Sequence, residues 1–117
     1  MEFNEINYKG FRFIFVVLSE KYTTPNEITI ISVYKQEESA TKLIFPDMIN
    51  NHKITSFYLT MFECLSRLNN INLIKFPRYL QYNITLISHI VKAVQSIHYI
   101  IYNNIIYHKI NNNYHII

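Results

Sequence analysis

The sequence has one glycine, one cysteine, three prolines and no tryptophan among 117 residues. With a single glycine no Gly-rich phosphate loop can be written, because such loops need several positions where bare backbone approaches an anion. Cys64 stands alone, which excludes an intramolecular disulfide and a cysteine metal framework and fits a reducing or matrix-like compartment. Aspartate occurs once, at Asp47. No uninterrupted apolar run approaches the ~18 residues of a membrane span. The nearest, "IHYIIYNNIIYHKI" (97–110), is broken by His98, Asn103, Asn104 and His108 and reads as a β segment. The opening stretch Met1 to Asn7 is acidic, so no secretory leader is expected.

Acids are also missing from residues 64–117 altogether. That half carries five Lys/Arg and four of the five histidines, a net +5, whereas residues 1–63 carry six Lys/Arg against eight Asp/Glu, a net −2. An acid-free half is the pattern of a polyanion-facing surface, and in a chain with few charges it also arises by chance. Isoleucine (21), asparagine (14), tyrosine (10), phenylalanine (8) and lysine (8) are abundant, and all belong to A/T-rich codons. The skew describes a low-GC genome, such as an organelle, a parasite or some viruses, and the asparagines read as drift. Half the residues are apolar, enough for one domain with a modest core.

Aromatic and β-branched "FRFIFVVLS" (11–19) predicts a buried strand after Gly10, and "YTTPNE" a turn at Pro25-Asn26. "ITIISVYK" (28–35) completes an antiparallel hairpin, and "TKLIFPD" (41–47) is a third strand stopped by Pro46. Ile54, Phe57, Tyr58, Met61, Phe62, Leu65 and Leu68 fall at helical spacing, with Thr55, Thr60, Glu63 and Arg67 outward, and Asn69-Asn70 ends that helix. "INLIKF" (71–76) predicts a central fourth strand, and Asn83 or Thr85 can cap a second helix with Ile87, Ile90, Val91, Val94 and Ile97 inward. A last strand over 97–107 follows. The expected fold is α/β: one domain over 1–117, a mixed sheet in the order β-β-β-α-β-α-β with helices packed on it, ribonuclease-H-like, without an internal repeat. A short extension (1–9) and a polar tail (108–117) flank it.

A nuclease of that fold gathers carboxylates around divalent ions. The corresponding positions here are Val16, Val17 and Leu18, then Thr55 and Ser56, then Phe76 and Pro77, so no catalytic residue, metal or cofactor is expected. Cys64 lies beside the buried helical stripe as a core thiol, and His108 and His115 lack the ligand spacing of a metal site. The candidate residues are instead Lys75, Arg78, Lys92, Lys109 and His108, with Tyr79, Tyr82, Tyr102 and Tyr107 interleaved, suited to phosphates and unpaired bases. For any single tyrosine an ordinary sheet position with one wet edge is the preferred reading. Pro77 cannot donate to a ladder; it ends the fourth strand and turns the chain toward the second helix, whose N-terminus would favour an anion.

"IKFPR" (74–78), the helix and strand positions Ile87, Ile90, Ile97 and Ile100, and "IYH" (106–108) resemble the small-subunit ribosomal protein S-eleven family. There a strand enters a Lys-Gly-Pro-Gly turn and a helix, then a strand reaches an Ile-Pro-His stretch; Phe76 here stands for a glycine. The likeness covers roughly residues 54–110. It implies a non-enzymatic structural component of an organellar, mitochondrial ribosome, bound to ribosomal RNA and neighbouring ribosomal proteins, with no small-molecule substrate and no membrane span. The alternative is a catalytically inactive protein-interaction module in the cytoplasm, of viral origin among the options.

Overall fold

Seven described residues outside glycine adopt the left-handed backbone region, and six of them are asparagine: Asn50, Asn51, Asn70, Asn103, Asn104 and Asn111, with Lys9 the seventh. Asparagine tolerates positive φ better than other side chains, so in a chain with one glycine it carries the tight turns. The computed structural model describes residues 2–18, 27–82, 87–88, 92, 96–111 and 113–117. Strand β1 (Asn4–Tyr8) turns through Lys9-Gly10 into β2 (Phe11–Leu18), and β2 pairs antiparallel with β3 (Glu27–Lys35). After β4 (Lys42–Ile44), β5 (Met48–Ile49) turns through Asn50-Asn51 into β6 (His52–Phe57). Helix α1 (Thr60–Arg67) leads to β7 (Leu73–Lys75). Finally β8 (Tyr99–Tyr102) turns through Asn103-Asn104 into β9 (Ile105–Ile110), which pairs with β10 (Asn113–Ile116). Paired positive φ values across a two-residue loop, 53° and 63° at Asn103-Asn104, match the right-handed twist of the flanking strands.

The strands form two five-stranded sheets, ordered β1-β2-β3-β6-β5 and β10-β9-β8-β7-β4. In the second sheet β4, β7 and β8 run parallel, with Leu43 beside Ile74 and Ile74 beside Ile100. That register superposes "LIFPD" on "IKFPR": Phe45 on Phe76, Pro46 on Pro77, Asp47 on Arg78. Leu43, Ile74 and Ile100 thus stand at one level of three successive parallel strands, 31 and 26 residues apart, each strand with the turn after it forming one coil of the stack. Phe45 N–H donates to the Lys75 carbonyl (3.0 Å), Phe76 N–H to Ile101 (2.9 Å) and Asn72 N–H to Thr41 (2.8 Å), extending the ladder past the strands. Each proline lacks an N–H and ends its ladder at the same level. After Tyr102 an Asn-Asn turn stands where the earlier coils have proline, and the stack finishes in an antiparallel hairpin.

Phe45, 1% exposed, lies between the sheets. Its ring centroid is 5.1 Å from Phe13, 5.1 Å from Phe57 and 6.0 Å from Phe76, the last pair nearly parallel. Buried Met61 and Leu65, one turn apart on α1, close the same core.

The α/β, ribonuclease-H-like expectation is overturned. Among the described residues 52% are strand and 10% helix, in two mixed sheets with one full helix. Ile54 to Phe57, expected in the first helix, form β6, because Ile28, Thr29 and Ile30 of β3 offer a parallel partner to Ile54, Ser56 and Phe57. Thr55, expected outward, is 4% exposed and its hydroxyl donates to Glu27 (3.2 Å). The extension 1–9 contains β1, and the expected strand 97–107 with its polar tail is the three-stranded β8-β9-β10. Residues 43–47 and 74–78 share a parallel register and a Phe-Pro ending. The turn at Pro25-Asn26 and most of the second helix lie outside the described residues.

Phe45→Ala should cost about 3–5 kcal/mol in urea unfolding, because the ring cannot be replaced from either sheet. Asn104→Val should cost about 1–2 kcal/mol, while Asn104→Gly should leave stability level or higher, since glycine accepts the same φ without a Cβ clash.

Candidate functional site

Successive residues of a strand point to opposite faces, so the second sheet sorts its side chains into rows. Leu43, Ile74, Ile100 and Tyr107 are buried on the inner side. The outer side therefore holds one row made of Lys42, Leu73, Tyr99, His108 and His115, and a second made of Ile44, Lys75, Ile101 and Ile106. None of these nine residues is acidic. The Tyr99 and His108 rings stack at 4.8 Å and 10°, Tyr99 being 37% and Ile106 45% exposed. The row from Lys42 to His115 crosses five strands, about 19 Å at ~4.8 Å per strand.

The expected site residues separate. Lys75 and His108 lie on this face, joined by Lys42, Tyr99 and His115, which sequence reasoning did not select. Lys109 faces the other way, opposite Tyr114. Arg78 follows Pro77 in a turn closed by Leu80 N–H on the Pro77 carbonyl (3.2 Å), and its own N–H donates to Asp47 Oδ1 (2.9 Å). The Arg78 amide is thus taken by a carboxylate from the preceding coil, and the helix N-terminus expected at Asn83 or Thr85 lies outside the described residues. Tyr79 is flanked by Lys53 Nζ at 4.7 Å and the Arg78 guanidinium at 6.0 Å from its ring centroid. Lys92 is exposed, its N–H bonded to the Ser88 carbonyl (3.0 Å), remote in sequence from the other cations.

Three of the tyrosines prop the coils from inside. The Tyr82 hydroxyl donates to the Phe57 carbonyl (3.1 Å) and accepts from Phe57 N–H (3.3 Å). The Tyr102 hydroxyl lies against the Leu80 (3.0 Å) and Tyr82 carbonyls. Burial raises its pKa, as does the nearby Tyr107, and the hydrogen bond to Tyr82 works against them. Tyr114 donates to the Ile97 carbonyl (3.1 Å), and burial pushes it up to about 12. Half-buried Cys64 lines a cleft of about 380 Å³ between the end of β3 and α1, where Lys35 Nζ donates to the Asn69 carbonyl (3.0 Å).

Among the described residues no three His, Cys, Asp or Glu side chains are placed to hold a metal ion, and no helix is long and apolar enough to cross a membrane. Comparison with protein-family models, with curated proteins and with solved structures finds no match.

Tyr114 supplies a pH test. Its folded pKa lies above the ordinary value of 10.0, so its contribution is complete below pH 10 and is lost as pH rises toward 12, where the unfolded phenol ionises first. Tyr114→Phe should lower stability by about 1 kcal/mol at neutral pH through the lost hydrogen bond and flatten the alkaline decline, as read by urea midpoints between pH 8 and 11.

Proposed function

We propose that this chain is a non-enzymatic protein-interaction module whose outer second-sheet face docks a partner. The register of the second sheet carries this reading: β4, β7 and β8 in parallel, with β9 and β10 beside them, build a continuous surface from residues far apart in sequence. That surface combines exposed Ile106 and half-buried Ile44, Leu73 and Ile101 with cations, the composition of an interface more than of a solvated face.

A second reading, a structural RNA-associated protein of a mitochondrial ribosome, is supported by the same face, because Lys42, Lys75, His108 and His115 share it with Tyr99 and none of its nine residues is acidic. The ribosomal resemblance itself drew on an element order that this chain does not have.

A photo-crosslinking residue at Tyr99 or Ile106 should yield discrete protease-sensitive adducts in native extract, and the same residue at Tyr34 on the first sheet should yield none. Adducts removed by ribonuclease instead would favour the RNA reading, and equal labelling from both sheets would reject the face.

A further inference from the structure

The two outer rows differ in character. Lys42 begins the first row and His108 and His115 end it, while the second row is aliphatic at Ile44, Ile101 and Ile106 with Lys75 between. The rows lie two residues apart on each strand, about 6.8 Å, close enough for one bound segment to touch both. Ordinary single-stranded RNA would satisfy the cations but leave the aliphatic row against sugar and phosphate, gaining nothing from its burial. One face of the Tyr99 ring is already occupied by His108.

Resting on the interaction-module reading, we propose that the partner is an acidic, aliphatic-rich protein segment laid across the strands. Its carboxylates meet Lys42, Lys75 and the two histidines, and its Leu, Ile or Val side chains cover Ile101 and Ile106. Charge complementarity selects this occupant: the face has no carboxylate of its own to repel an acidic segment, and a basic one would meet only like charge. Lys53 of β6 and Arg78 flank Tyr79 instead, and Lys109 points to the opposite side.

The test uses a Glu/Leu amphipathic peptide of about 15 residues, long enough as a helix to cross the five strands, with a Lys/Leu counterpart and oligouridylate as alternatives. Titration should show the Glu/Leu peptide binding and the other two failing. Reversing two charges, Lys42→Glu with Lys75→Glu, should weaken the Glu/Leu peptide by at least about tenfold and create affinity for Lys/Leu. Lys9→Glu, on the β1–β2 turn, should change neither. The gain for Lys/Leu also shows that the double variant is folded. Absence of Glu/Leu binding, indifference to the reversal, or preference for oligouridylate would overturn the proposal. If crosslinking from Tyr99 still captured protein in that event, the docking face would stand with a different partner chemistry; if it too failed, both would fall.

Discussion

The packing of the Phe45 ring is the contact on which the rest of the molecule depends. Phe45 follows β4 directly, and its N–H is held by the Lys75 carbonyl, so the ring's height in the stack is set by the coil above it. Phe13 and Phe57 reach it from the first sheet and Phe76 from the second. Four rings of ordinary size fill the layer between two sheets that share no hydrogen-bonded strand pair. The hydrophobic effect is non-directional, and it is the fixed height of Phe45 and Phe76 in the ladder that turns burial into a defined sheet-to-sheet position.

The second constraint is backbone conformation. Hairpins with two-residue loops need positive φ at both loop positions, and glycine, the usual supplier, occurs once in this chain. Asparagine occupies Asn50, Asn51, Asn103 and Asn104 instead. A compositional bias that comes from codon usage thus has a structural use: without these turns β5 could not fold back along β6, nor β9 along β8. The tyrosines behave similarly. Tyr82, Tyr102 and Tyr114 each bond a backbone carbonyl, of Phe57 at the end of β6, of Leu80 and of Ile97.

The outer face of the second sheet follows from those two constraints. Stacking places Lys42, Leu73 and Tyr99 in line, and the Asn103-Asn104 turn then brings His108, and β10 brings His115, into the same row. Shifting the β8–β9 hairpin by one residue would turn His108 inward, and shifting the β9–β10 hairpin would turn His115 inward. An acid-free half in the sequence becomes an acid-free surface only through that register.

Several elements were legible in the residues themselves. The runs 11–19 and 28–35 contain β2 and nearly all of β3, since aromatic and β-branched residues there leave little choice, and Pro46 and Pro77 stop their ladders wherever the strands go. Lys75 and His108 were selected for their chemistry and do share a face. Ile54 to Phe57 were not legible: a spacing of three is a helical stripe, and both residues are buried in β6 only because an extra residue at Thr55 shifts its register on β3. The parallel register of 43–47 with 74–78 was hidden because little beyond Phe-Pro is common to the two stretches. Tyr99, Lys42 and His115 carried no local signal, being assembled by pairings across tens of residues. Local sterics and hydrogen-bonding capacity thus set where strands and turns begin and end, because they act within a few residues. Which strands pair, in what register and with which side chains outward was decided by the tertiary structure, where burial of the phenylalanine layer selects one stacking from many that local preference allows.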